Sequence, residues 1–186
     1  MKSIFIPGFR SPTPLKKSGW VVIFIFLFIS PTLAQEINKA SWDDGLMLAT
    51  FDVDATPPVG SPLAYDSTAN SWDLGLRAKG IILMGAGQPI VLCAVDWIGI
   101  ANESQDEFKA ALADAAGTVP ERVAVHTLHQ HDAPISDFGA EKILLEAGLD
   151  PAGFEGSFDR VLIRRLQEAI KIAITQSEPV THLGLG

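Results

Sequence analysis

The chain has 186 residues, enough for one domain with a sizeable core. Its 22 acidic side chains against 14 basic ones leave a formal charge of −8, which excludes nucleic-acid binding through the phosphates. With Cys93 as the single cysteine, an intrachain disulfide is excluded as well.

In chain order, the first segment is a targeting signal and not part of the fold. Lys2, Arg10, Lys16 and Lys17 form a basic region ahead of an unbroken apolar run over residues 20–29, closed by Ser30-Pro31 and Thr32-Leu33-Ala34-Gln35. A short apolar core with a small residue before the cut is the pattern of a secretory signal peptide. A membrane-spanning helix needs about 20 apolar residues, twice this run, and an uncleaved N-terminal anchor is the alternative. Cleavage after Ala34 leaves residues 35–186 as the exported domain, secreted or periplasmic, with four fewer positive charges.

Residues 40–54 open that domain, with Leu46, Leu48 and Phe51 as strand residues, and lead into the turn-rich Thr56-Pro57-Pro58-Val59-Gly60-Ser61-Pro62. A second strand is predicted over residues 74–84, ending in a hairpin-like turn at Gly85-Ala86-Gly87-Gln88-Pro89. The continuous apolar run of residues 90–95 predicts a central strand buried on both faces, with Cys93 a buried thiol and not a nucleophile. A helix follows, with Asn102 and Gln105 as a capping box and Phe108, Ala111, Leu112 and Ala115 as its apolar stripe. Gly117 and Pro120 end it, and residues 123–128 form the next strand.

Strand, helix, strand in that order predicts a parallel crossover, so both strands finish on one rim. Asp96 then shares that rim with the residues that follow position 128, either supporting a site there or only ordering its own loop. Ser157 is the expected cap of a last helix, whose stripe is Val161, Leu162, Leu166, Ala169, Ile170, Ala173 and Ile174. A final strand over residues 180–185 carries His182. The expected fold is α/β, with a mixed, partly parallel sheet and flanking helices. The chain has no internal repeat, no phosphate-binding glycine loop and no Gly-x-Ser-x-Gly elbow.

The chemistry concentrates in Val125-His126-Thr127-Leu128-His129-Gln130-His131-Asp132-Ala133-Pro134, which holds three of the four histidines. In an extended backbone His129 and His131 point to one side and Gln130 to the other. Neutral imidazoles bind Zn²⁺ and related metals. His126 has the wrong parity to join them, and Pro134 breaks the strand and leaves the cluster on a loop. A His-x-His pair is at most half of a zinc site, which needs three or four protein ligands. A metal site and a solvated strand end both fit the pattern.

Three segments together resemble the N-terminal part of the neutral/alkaline non-lysosomal ceramidase family. They are Phe51-Asp52-Val53-Asp54-Ala55-Thr56-Pro57-Pro58-Val59-Gly60, the buried strand to Asp96 with Ile98-Gly99-Ile100, and Leu128-His129-Gln130-His131-Asp132-Ala133-Pro134. The last resembles the family's Thr-His-Thr-His-Ser-Gly-Pro. The resemblance covers residues 46–186. It implies a zinc amidohydrolase acting on the N-acyl bond of ceramide, with His129 as a zinc ligand and His131 as the catalytic residue on the substrate side. Zinc supplies there an acidified water and a polarised carbonyl.

Gln130, Asp132 and Ala133 depart from the family pattern. Asp132 places a negative charge beside the site, where it bears on substrate choice and joins Asp96 as a candidate supporting residue. The family's remaining ligands (a histidine, a glutamate and a tyrosine) and its serine lie further along than this stretch. The expectation is therefore an incomplete zinc site, completed by a C-terminal part or a partner chain, with ceramide or another N-acyl amide as substrate. The alternatives are a non-catalytic exported binding module or degenerate paralogue on the same scaffold, or a local metal site of His126, His129, His131 and Asp132.

Overall fold

A computed structural model describes residues 45–66, 68–182 and 184. The signal-peptide segment predicted over residues 1–34 lies outside the described residues. Strands β1 (Met47–Asp54), β2 (Arg77–Gly85) and β3 (Gly87–Val95) form an antiparallel meander. Gly85 and Gly87, with φ of 151° and 87°, make the tight β2–β3 turn at the predicted place. Short β4 (Gly99–Ile100) leads into helix α1 (Asn102–Ala116), which returns the chain to β5 (Val123–Thr127), parallel to β3. Then come β6 (Ile135–Ser136), α2 (Phe138–Glu146), α3 (Ser157–Thr175) and β7 (Glu178–Pro179). The main sheet has the order β5-β3-β2-β1-β7, and β4 pairs with β6 in parallel. This is the expected mixed, partly parallel α/β architecture. No helix among the described residues is long and apolar enough to cross a membrane.

The core lies between one face of the sheet and helices α1 and α3. Ile82, Val91, Cys93, Val95, Phe108, Leu112, Leu162, Leu166 and Ile170 are all fully buried there. Each such side chain contributes about 1.5–3 kcal/mol on burial. Burial alone pushes the Cys93 thiol up to about 12, so it is inert, as expected of a packed cysteine.

Burial of β3 on both faces does not hold. Leu92 is 39 % exposed, while Val91, Cys93 and Val95 are covered, because the helices lie on one side of the sheet only. Among the strand residues named for β1, Leu46 is exposed and Leu48 half-buried, and the inward face is Ala49, Phe51 and Val53. β2 begins at Arg77 and not at Leu74, which is exposed.

Both expected helix caps are corrected. Asn102 donates its side-chain amide to Asp137 Oδ2 at 2.6 Å, and Gln105 donates to the Val125 carbonyl at 2.9 Å. Ala101 occupies the cap position, and the two side chains instead tie α1 to the start of α2 and to β5. Gly156 precedes α3, and Ser157, already inside the helix, bonds Glu155. Gly117 ends α1 in the left-handed region, as its position predicts. The last strand is β7, two residues earlier than the predicted start. Val180 extends its pairing with one bond to the Leu46 carbonyl, and residues 183, 185 and 186 lie outside the described residues.

α2 and α3 are joined through Glu141, which accepts from Arg160 and from the Gly156 N–H. Its Arg160 partner holds the Glu141 carboxyl below the usual range. Next to this pair Asp159 is 6 % exposed, and burial pushes its carboxyl up to about 6, with the Ser136 hydroxyl offsetting part of that. The fold thus favours neutral Asp159. Its stabilising contribution is full below the ordinary value of 3.8 and is lost as pH rises through about 6. Asp159→Asn is expected to raise stability at pH 8 by about 2 kcal/mol and to change little at pH 4. Urea midpoints at the two pH values test this, and equal midpoints for variant and parent at pH 8 contradict it.

Candidate functional site

The histidine loop starts where β5 leaves the sheet. Pairing with β3 runs one step past the strand, through the Leu128 N–H to the Val95 carbonyl at 3.0 Å. The chain then turns sharply, with His129 in the left-handed region at φ 59°. A non-glycine residue there costs about 1–2 kcal/mol and persists only where its surroundings hold it. Two carbonyls hold it: the His129 N–H donates to Trp97 O at 3.2 Å, and its ring Nδ1 lies 3.1 Å from Ile98 O. Thr127 Oγ1 donates to the same Ile98 carbonyl.

A carbonyl oxygen only accepts, so His129 Nδ1 carries the proton. That bond leaves Nε2 as the ring nitrogen open to a metal, the arrangement found at histidine metal ligands. His131 sits 5.3 Å away, ring centroid to centroid, in an edge-on arrangement, and both imidazoles are exposed. The Tyr65 ring also lies against His131, with centroids 4.7 Å apart in a tilted arrangement. The two histidines come together as expected, but through the loop and its left-handed residue, not through strand alternation. Gln130 turns back on the loop, its Oε1 accepting from the Asp132 N–H at 2.6 Å.

The platform beneath the loop comes from the other two segments singled out in the sequence. Trp97 is completely buried against Phe108 and Phe158, and its indole N–H donates to the Ala55 carbonyl at 3.0 Å. Ala55 is pinned by Leu76 and followed by Thr56, which bonds Leu76 in both directions. The Thr56 hydrogen bonds hold the Asp54 carboxyl below the usual range. The far end of the loop is tied down too, Ile98 N–H donating to Pro134 O and Ala64 N–H to Ala133 O. Ala55, Trp97 and His129 thus form one continuous line of contacts through all three segments.

Asp96 does not join this site. Its carboxylate accepts from the Arg77 N–H at 2.8 Å, toward β2, while β5 flanks β3 on the opposite side. It orders the start of β2 and has no hydrogen bond to either histidine. Asp132 is exposed at the loop and lines a cleft beside it. His126 lies on the open face of the sheet, in register with Ala94 and away from the pair. Among the described residues, no group of three or more His, Cys, Asp or Glu side chains converges to hold a metal ion. His129 fits as one zinc ligand, and the donor set falls short of the three or four that zinc requires.

No family model and no curated protein matches the chain. Solved structures similar to it include a neutral ceramidase from Pseudomonas aeruginosa and a ceramidase complexed with C2. Each is 16 % identical, with a TM-score of 0.48 over 73 % of this chain and 22 % of the other. The chain spans about a fifth of the length of these structures. Each is a likeness of fold, and it extends no further.

Sequence reasoning passed over Trp97 and Tyr65. Trp97 had a usable signal, a large aromatic placed directly after a buried strand and its terminal aspartate. Tyr65 sits in an irregular stretch where no periodicity points to it.

Proposed function

We propose that this chain carries the histidine-bearing part of an exported zinc amidohydrolase acting on N-acyl amides of the ceramide type. The supporting observation is His129, strained into the left-handed region and held by two carbonyls so that Nε2 is free. His129 is the zinc ligand in this reading. His131, 5.3 Å away and backed by Tyr65, faces the substrate and holds or passes a proton. The other ligands come from a partner chain or from further sequence. The shortage of donors among the described residues favours a second reading, a non-catalytic binding module on the same scaffold.

Zinc titration of the purified chain, with the ring nitrogens followed by NMR, tests the first reading. Zinc is expected to shift His129 Nε2 while Nδ1 keeps its bonded proton. His129→Ala is expected to weaken zinc binding by more than the roughly 10–100-fold that loss of an outer partner costs. Uptake unchanged in the variant, or zinc uptake that leaves His129 Nε2 unshifted, sinks the zinc reading and leaves the binding module.

A further inference from the structure

The first turns of α1, α2 and α3 meet beneath the short β4–β6 pair around two completely buried hydroxyls, Ser104 and Ser136. The Phe138 N–H and the Ser136 hydroxyl both donate to Ser104 Oγ, at 2.8 and 2.9 Å. Asp159, in the first turn of α3, is buried beside Ser136. A hydroxyl carries one hydrogen, so Ser136 serves an ionised Asp159 only if the pair reverses and Ser104 becomes the donor. That exchange offsets only part of the cost of burying the charge.

Arg160, the cation that acts on Asp159, is already bound to both oxygens of Glu141, at 3.2 and 2.6 Å. Glu141 from α2 and Glu155 from the loop before α3 both oppose a further negative charge. Asp159 also lines a cavity of about 100 Å³ with Pro57, Pro58, Pro134, Ile135 and Phe158. Among the described lining residues Glu155 is the only other titratable side chain. The cavity has room for about three waters at ~30 Å³ each, the hydration that an ionised carboxylate demands.

β6 connects this cluster to the histidine loop. It pairs with β4 through Ile135 and Ser136, and the Ser136 carbonyl accepts from the Ala101 N–H at 2.9 Å. The Pro134 carbonyl accepts from the Ile98 N–H at 3.2 Å, and Ile98 in turn offers the carbonyl that His129 Nδ1 bonds. We propose that Asp159 is a proton-operated latch for the β4–β6 pair. Its neutral form keeps the pair seated, and with it the Ile98 carbonyl that orients His129. Its ionised form lets water into the cavity and the pair opens. As regulation of the zinc site the latch rests on the amidohydrolase reading, but its motion belongs to the metal-free chain.

Amide hydrogen exchange of the full chain without metal at pH 5, 7 and 8, corrected for the intrinsic rate at each pH, is the test. A carboxyl at about 6 when seated and at its ordinary 3.8 when released favours the seated form at low pH. The opening constant of the Ile98 and Ala101 amides is therefore expected to rise about tenfold from pH 5 to pH 7 and to level off above. The β2–β3 ladder, which exchanges through larger and rarer openings, is expected to stay at least about tenfold better protected. In Asp159→Asn, which keeps both histidines, the Ile98 and Ala101 amides are expected to vary by less than about twofold over the range. A flat profile in the parent, a rise that persists in the variant, or one opening constant shared with the β2–β3 ladder overturns the latch. Zinc titration in parallel separates the two claims. A zinc-shifted His129 Nε2 with a flat exchange profile sinks the latch alone. The tenfold rise together with zinc uptake that leaves Nε2 unshifted sinks the zinc reading alone.

Discussion

Trp97→Ala is expected to destabilise the fold by about 3–5 kcal/mol, a large fraction of the roughly 5–15 kcal/mol that holds such a domain. The indole is fully buried between Phe108 of α1 and Phe158 of α3, so its removal leaves a cavity bounded by two helices that cannot both move inward. It also strands the Ala55 carbonyl, which then lacks its donor and adds about 1–3 kcal/mol. Trp97→Phe separates the two effects, keeping most of the packing and losing only the N–H. Urea denaturation of the three proteins measures the ordering, with the alanine variant lowest and the phenylalanine variant between. An alanine variant within about 1 kcal/mol of the parent contradicts the anchoring role. Because the Trp97 carbonyl receives the His129 N–H, the alanine variant should also loosen the imidazole. Broadened His129 ring resonances at temperatures where the domain is still folded would report it.

Gly80→Ala is the second large effect. Gly80 sits opposite Phe51 in the β1–β2 register, and the Phe51 ring lies over the space a side chain would take. An added Cβ would come 2.5 Å from the Leu92 carbonyl oxygen and closer still to the Phe51 ring. Neither gives way easily, since the carbonyl belongs to the neighbouring strand and the ring is packed in the core. Overpacking of this kind costs about 1–3 kcal/mol, at the upper end where backbone is involved. The paired variant Gly80→Ala/Phe51→Leu should recover part of the loss by vacating the ring's space. Thermal melts of the single and double variants decide the matter, and a single variant as stable as the parent contradicts the packing.

The β3–α1–β5 crossover could be read from residues alone because its signals are local. A six-residue apolar run, a helical stripe through Phe108 and Leu112, and a glycine stop at Gly117 each speak without reference to distant chain. α2 could not be read in that way. Its apolar Ile143 and Leu145 point to solvent, and its buried positions are Phe138 and the charged Glu141, which Arg160 of a later helix makes tolerable. The periodicity there runs opposite to the usual amphipathic pattern. Asn102 and Gln105 looked like a capping box because the spacing fits. Asp137 and the Val125 carbonyl, both distant in sequence, took those side chains instead.

The candidate site divides similarly. His129 and His131 could be named from their spacing, and Cys93 could be set aside from its neighbours. Their geometry could not be foreseen, because the alternation rule holds only while the chain remains in the sheet, and β5 ends at Thr127. Asp96 had the right position on the rim, yet the rim has two sides, and the antiparallel neighbour β2 claimed its carboxylate. That choice depends on strand order, which single-residue patterns do not encode.

The two groups that hold His129 are both main-chain carbonyls, those of Trp97 and Ile98. A carbonyl is the same whatever side chain its residue bears. Position 98 can therefore drift among apolar residues over evolutionary time while the imidazole remains in place, so long as the backbone keeps its path. Inheritance of this imidazole's position is carried by the course of the chain, and a search for its supporting residues by identity would overlook them.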